Sequence, residues 1–302
     1  VSRPLVKDER KNFQVPDIEL MTPGNVACGG CGATLSMRIA LKALGEHTIT
    51  VIPACCWAVI DGAWPYSSLR IANLHTAFET TAAAACGVRA GLDALGETDA
   101  TVVGWAGDGG TFDIGIQALS GAAERNEDFI YVCYDNEAYM NTGIQRSSAT
   151  PYGAWTTTTP VAHFKNRPKK NMMEILAAHR IPYAATTTVA HPDDMIRKFR
   201  KAKSMTGTRF IHVLSPCPPG WKLPSHLSID VSRKAVDCKA FPVYEIEDGI
   251  KYTLNIEPKG IPVSEYLGMQ GRFSHLSEEQ LQMVQRQVDD DWERLMKRME
   301  IK

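Results

Sequence analysis

The chain reads as an α/β protein with a mostly parallel, twisted sheet, helices on both faces and a C-terminal extension. Three observations predict this. Short apolar or β-branched runs alternate with longer runs of helical period as far as about Cys217. Two of the short runs end in polar turns, Gly107-Asp108-Gly109 and Asp135-Asn136, with one helix between them. Beyond Cys217 the alternation decays into loop, helix and hairpin signals.

Each element has its own signal. Residues 34–45, TLSMRIALKALG, space their apolar side chains helically and stop on Gly45. TITVIPA (48–54) is short and β-branched, a buried strand. AFETTAAAACGVRAGLDALG (77–96) is a small-residue helix closing on glycine, suited to close packing. ATVVGWAG (100–107), DIGIQALSGAAERN (113–126) and DFIYVCYDN (128–136) form strand, helix and strand, the pattern of a right-handed crossover in a parallel sheet. NMMEILAAHRI, HPDDMIRKFRKAKS and TRFIHVLSPC continue the alternation. Near the end, SEEQLQMVQRQVDDDWERLMKRM is an amphipathic helix with a Ser-x-x-Glu-like capped start. The organisation expected is an N-terminal arm (1–22) that wraps a partner, a main domain (23–221) and the extension (222–302).

Composition narrows the function. With 33 basic and 34 acidic residues the net charge is -1, so no global field favours nucleic acid or an anionic membrane. The basic run KNRPKK (165–170) lacks aromatic interleaving and reads as a solvated loop. No apolar run reaches the roughly 20 residues of a membrane span, and the first twenty residues lack a secretory core. Eight cysteines without an export signal point to a reducing compartment and to ligand or packing roles. The expectation is a cytoplasmic enzyme or binding subunit.

Asp108 and Asn136 carry the chemistry. In an open parallel sheet, ligands bind beyond the carboxyl ends of strands, where both residues fall. Gly107, Gly109 and Gly110 let the backbone approach a ligand, and the next helix offers free N–H groups to a phosphate. A hard divalent cation with oxygen ligands and a bound diphosphate would satisfy both loops. Taken alone, Gly-Asp-Gly reads more readily as a tight strand-to-helix turn; Asn136, one helix and one strand later, favours the ligand.

Gly107-Asp108-Gly109, a spacer and Asn136 are similar to the thiamine diphosphate motif. YDNEAYMNTGIQRSSATPYGAW (134–155) then resembles the β subunits of 2-oxoacid:ferredoxin oxidoreductases, the pyruvate enzymes above all. The resemblance runs from about Pro23 to Trp221 and implies a thiamine-diphosphate-binding fold. It implies Mg2+ held by Asp108, Asn136 and the Ala138 carbonyl. Glu137 and Thr142 fall in the same cofactor-binding loops, and Asn141 lies by the reactive ring and substrate. His75 is carried as cofactor-binding; His75 and Glu79, four apart, would share a helical face, or form a polar pair satisfied by backbone at a helix start.

Cys28-x-x-Cys31, flanked by glycines, allows a thioredoxin-like pair, half a zinc site, incidental thiols or part of an iron–sulfur site. Bare spacing leaves zinc and cluster both open. The family's pattern implies a [4Fe-4S] cluster on Cys28, Cys31, Cys56 and Cys217. Register on His75-Thr-Ala-Phe-Glu79 selects Cys56 and puts Cys55 where relatives carry glycine. Adjacent cysteines in an extended loop would point to opposite sides, leaving Cys55 a bystander. Ala33 replaces a glutamate that approaches the cofactor in many relatives. Cys86, Cys133 and Cys238 read as small buried hydrophobes.

The resemblance implies oxidative decarboxylation of a 2-oxoacid, acyl transfer to coenzyme A and one-electron transfer through the cluster to ferredoxin. Pyruvate is favoured; oxalate, branched-chain and aryl 2-oxoacids stay open, as does a non-catalytic, metal-stabilised binding subunit. No carboxylate in the sequence suits activation of the aminopyrimidine, which relatives supply from the α subunit. Partners expected are that α subunit, γ and δ or fused ferredoxin-like subunits, ferredoxin and coenzyme A, with no nucleic acid and no membrane. The Thr156–Thr159 run has no chemical reading beyond a possible subunit contact.

Overall fold

The computed structural model describes residues 15–63 and 65–300; residues 1–14 of the expected N-terminal arm lie outside them. Helix α1 (Gly32–Leu44) ends at Gly45, whose φ of 85° suits glycine and whose N–H bonds the Leu41 carbonyl. Strand β1 (Thr48–Pro53), helix α2 (Cys56–Ile60), strand β2 (Ala72–Thr76) and helix α3 (Thr81–Leu95) follow. Strand β3 (Thr101–Gly107), helix α4 (Ile116–Glu124) and strand β4 (Phe129–Asp135) make the crossover unit. Helix α5 (Met172–Ala178), strand β5 (Tyr183–Thr188), helix α6 (Pro192–Lys203) and strand β6 (Thr208–Leu214) continue it. The remainder is α7 (Pro218–Trp221), α8 (Ser228–Asp237), the hairpin β7 (Tyr244–Glu247) and β8 (Lys251–Leu254), α9 (Val263–Leu267) and α10 (Glu278–Glu300).

All eight strands share one sheet in the order β2-β1-β3-β4-β6-β5-β7-β8. β1 to β6 are mutually parallel, and the C-terminal hairpin adds β7 and β8 antiparallel at one edge. Side-chain alternation along the central strands divides the core. Val103, Trp105, Val132 and Tyr134 pack towards α1, α2 and α6. Val102, Ala106, Tyr131 and Cys133 pack towards α3, α4, α5 and the end of α10. A third cluster, including Trp221, Val231, Tyr266 and Phe273, joins α7, α8 and α9 beside the sheet's carboxyl ends. The start of α10 carries a reciprocal cap: the Ser277 amide donates to Gln280 Oε1, and the Gln280 amide donates to Ser277 Oγ.

Two expectations are corrected. The helix expected over 77–96 begins only at Thr81, because residues 77–80 form a turn, the Thr80 amide on the Ala77 carbonyl, that leads out of the parallel edge strand 72–76. His75 therefore lies on a strand, and it shares no helical face with Glu79. The helix expected over 113–126 is broken as well. Residues Gly109–Ile114 form a π-helical turn, closed by the Gly115 amide on the Gly110 carbonyl, and α4 starts after it. Such wide turns recur at functional sites. Among the described residues no helix is long and apolar enough to cross a membrane.

Candidate active site

Asp108 follows the last residue of β3 and is fully buried. Its Oδ2 accepts a 2.5 Å hydrogen bond from Ser147 Oγ. Burial, with the charge of Asp135 adding, pushes its carboxyl well above the usual range; a cation alongside would reverse that. The glycines around it have separate steric roles. A Cβ on Gly109 would stand 2.5 Å from the Tyr139 ring, whereas one on Gly110 would only touch Phe78. Tyr139 is held by its hydroxyl, which donates to Asp113 Oδ2 at 3.0 Å.

Across the sheet, β4 ends at Asp135, and the chain turns sharply through Glu137, whose φ is 68°. That turn brings the Asn136 side-chain amide to 3.0 Å from Asp108 Oδ1 and 2.9 Å from the Ala138 carbonyl. With its nitrogen inward, Asn136 donates to both. With its oxygen inward, three oxygens from Asp108, Asn136 and Ala138 converge without a proton between them, a donor set a hard divalent cation takes. The residues present therefore fit a magnesium-type ion.

The turn is held by buried charge. Asp135 bonds His212 at 2.7 Å and also Lys169, while Glu137 bonds Lys169 at 2.9 Å and also Arg272. Burial alone would raise the Asp135 carboxyl, but Lys169 and His212 hold it down at about 2. The loop beyond is pinned as well. Tyr139 and Gln145 pair as an antiparallel bridge around Asn141 and Thr142, which are exposed. Thr150 Oγ1 donates to the Glu137 carbonyl at 2.7 Å.

Two stretches that sequence reasoning passed over prove to be supports. The run 165–170 is no simple solvated loop. Lys165 is buried, with its ammonium on the carbonyls of Ser148 and Thr150, and Lys169 and Lys170 reach inward to Glu137 and the Phe112 carbonyl. Only residues 166–168 face solvent. The threonine run braces the exposed turn: Thr157 Oγ1 donates to the Gly143 carbonyl, and Thr158 Oγ1 accepts from the Arg146 amide. Spacing carries no signal for either, since both act on residues distant in sequence.

Two adjoining cavities open at this end of the sheet. The first is lined by Gly107, Gly109 and Gly110 with Asn136, Ala138, Tyr139, Asn141 and Thr142. The second, of about 100 Å³, is lined by Cys28, Cys31, Cys56 and Cys217, with Ala33 beside them. Cys56, Asn136 and Asn141 line both. Cys56 opens helix α2 and Cys55 is the extended residue before it, so the pair is not the extended loop expected. Cys55 borders only the first cavity. Burial pushes the Cys56 thiol to about 12, with Cys55, Cys217, Cys31 and Asp108 close enough to add to it, and burial likewise pushes Cys217 to about 11. Among the described residues no three Cys, His, Asp or Glu side chains gather to hold a single metal ion; the four thiols surround a space instead, which suits a group of several atoms. His75 lines neither cavity; its Nε2 lies 3.3 Å from Asp61 Oδ2. Cys133 and Cys238 are buried and Cys86 is half-buried.

A parallel sheet whose β3 and β4 ends converge on an oxygen donor set defines a site for a cation-bound ligand at the carboxyl ends of the strands. The family of thiamine pyrophosphate enzymes, C-terminal TPP binding domain, matches residues 57–213, a span that takes in Asp108 and Asn136 but none of the four cavity cysteines. Over 98% of both chains, the sequence is 51% identical to the ketoisovalerate oxidoreductase subunit VorB of Pyrococcus horikoshii. It is 48% identical to the pyruvate synthase subunit PorB of Methanothermobacter thermautotrophicus, over 92% of this chain and 97% of that one. The 2-oxoglutarate:ferredoxin oxidoreductase of Magnetococcus marinus shares the fold, with a TM-score of 0.58 and 23% identity over 69% of each chain. The chain belongs to the β subunits of the 2-oxoacid:ferredoxin oxidoreductases, enzymes that act with partner subunits.

Proposed function

We propose that this chain binds thiamine diphosphate through Mg2+ on Asp108, Asn136 and the Ala138 carbonyl, and holds a [4Fe-4S] cluster on Cys28, Cys31, Cys56 and Cys217. Joined to an α subunit, it carries out oxidative decarboxylation of a 2-oxoacid, with the acyl group passing to coenzyme A and electrons to ferredoxin. The observation that carries this reading is the shared wall of the two cavities, Cys56, Asn136 and Asn141. When bound, thiamine diphosphate supplies a carbon nucleophile and an electron sink, and the cluster accepts electrons singly.

The chain's own residues have distinct tasks. Asp108 and Asn136 orient the ion, and with it the diphosphate. Gly109 leaves room for the Tyr139 ring and Gly110 brings bare backbone to the wall of the first cavity, while Phe78 and Tyr139, packed edge to face at 5.8 Å, close one side against water. Asn141, on an exposed turn and lining both cavities, would meet the substrate. Among the described residues neither cavity is lined by Asp or Glu, which supports an activating carboxylate from the α subunit. γ, δ or fused ferredoxin-like subunits complete the electron path.

For the substrate, a small aliphatic 2-oxoacid fits the relatives' names. Within Pyrococcus horikoshii alone, identity is 51% to the ketoisovalerate subunit and 40% to the pyruvate synthase subunit. That contrast favours 2-ketoisovalerate over the pyruvate that the residues from Asn141 to Trp155 suggest. Ferredoxin reduction by the intact complex, assayed against pyruvate, 2-ketoisovalerate, an aryl 2-oxoacid and oxalate, tests it. The expected result is the highest kcat/KM with 2-ketoisovalerate, then pyruvate. A preference for oxalate or the aryl acid would overturn the aliphatic assignment.

A further inference from the structure

We infer that Arg272, in the C-terminal extension, is a positioning residue for the metal-binding turn and ties it to the Cys217 loop. This rests on the magnesium reading above. Arg272 is buried, at 2% exposure, and its guanidinium lies 4.1 Å from the Trp221 ring. One edge bonds Gln270 Oε1 through Nε and NH2, and NH2 also bonds Glu137 Oε2. Glu137 is the residue with positive φ between Asn136 and Ala138, the two oxygen donors contributed by this turn. A β-carbon residue in the left-handed region is costly unless its surroundings impose it. Arg272 on one side and Lys169 on the other supply that constraint.

Trp221 makes the second link. Its Nε1 donates to the Asn136 carbonyl at 2.8 Å, while its amide donates to the Cys217 carbonyl at 2.8 Å. The Arg272–Trp221 pair thus grips two consecutive residues of the metal turn, and Trp221 sits one helical turn beyond Cys217 on α7. Planar stacking and forked bonding together demand a guanidinium, which lysine only partly replaces. The extension therefore fixes the angle at which Asn136 and Ala138 face Asp108.

The test uses the intact complex and follows Mg2+-dependent thiamine diphosphate binding by protein fluorescence, iron content, and unfolding without added cofactor. Arg272→Met should weaken binding tenfold or more, the range found when a supporting partner of a metal ligand is lost. Arg272→Lys should recover part of it. In a Glu137→Gln background, Arg272→Met should cost less than in the wild type, because the arginine acts through that carboxylate. A merely structural role would lower the unfolding midpoint and leave the affinity of the folded protein unchanged. If Arg272→Met fails to assemble, Trp221→Phe keeps an aromatic face for the guanidinium but deletes the N–H to Asn136, and should weaken binding at least threefold. Unchanged affinity in Arg272→Met, or in Trp221→Phe where that variant decides, overturns the inference, as does full additivity with Glu137→Gln. Wild-type binding that ignores Mg2+ would instead overturn the metal site on which the inference rests.

Discussion

The loops after β3 and β4 meet at one site but differ in what shapes them. The β3 loop takes its backbone path from local geometry, since Asp108 follows the strand and a π-helical turn closed by the Gly115 amide carries the chain into α4, and Ser147, Ser148 and Lys170 only brace it from outside. The β4 loop depends on side chains far along the chain, with Lys169, His212, Trp221 and Arg272 all bonded to residues 135–137. Local geometry can thus place one anionic ligand. Bringing a second loop onto it, through a residue at φ 68°, takes buried side chains from four other segments.

The largest expected effect comes from removing the anionic ligand at the end of β3. Asp108→Asn should weaken Mg2+-dependent thiamine diphosphate binding by roughly a hundredfold or more, at or beyond the upper end for a lost supporting partner, while iron content and fold persist. Titration of the purified complex measures it, and unchanged affinity would remove Asp108 from the site. Separating the chain from its α subunit should abolish turnover of any 2-oxoacid, and re-adding that subunit should restore it. Robust decarboxylation by the lone chain would mean that it contains the activating carboxylate.

Smaller effects sharpen the contrast. Gly109→Ala forces the Tyr139 ring to move, so it should cost about 1–3 kcal/mol of stability, the usual cost of overpacking. Thermal or urea unfolding measures this, and Tyr139→Leu should relieve most of it; a neutral Gly109→Ala would show that the two loops do not press on one another. The last effect is read against pH, at a lysine that supports the β4 loop. Burial lowers the Lys165 ammonium to about 8 from an ordinary value of 10.5, with Arg146 and Lys169 adding to the shift. Between those values the unfolded chain binds more protons, so stability contributed at this site rises from pH 8 towards 10.5. Wild type should therefore gain on Lys165→Met across that window, and parallel stability curves for the two proteins would contradict it.

The same contrast explains what could be read from the sequence. Gly107 to Gly110, Asp108 and the strand–helix alternation were legible because periodicity and local turn chemistry act between neighbours. Lys165 and Lys169 read as a solvated run because charge near the surface and charge aimed at a carbonyl look alike in one dimension. Arg272 and the threonines at 156–159 had no local signature at all. His75 was misplaced onto a helix because an edge strand as short as Ala72–Thr76 is too brief for its period to show. The late start of α3 followed from the same misreading. The four cysteines were legible only through the resemblance, since Cys28 and Cys217 meet by way of the whole sheet.

The central claim is that two cofactors share the wall formed by Cys56, Asn136 and Asn141, and the adjacent cysteines test it most directly. Cys56 borders both cavities whereas Cys55 borders only the first, and a serine oxygen is a harder, poorer iron ligand than a thiolate. Iron and acid-labile sulfide content, with the reduced-state EPR signal, should be measured on the complex carrying Cys55→Ser and on that carrying Cys56→Ser. The account predicts that Cys55→Ser keeps the cluster and its signal, while Cys56→Ser weakens or loses both. Loss in Cys55→Ser with retention in Cys56→Ser would contradict it.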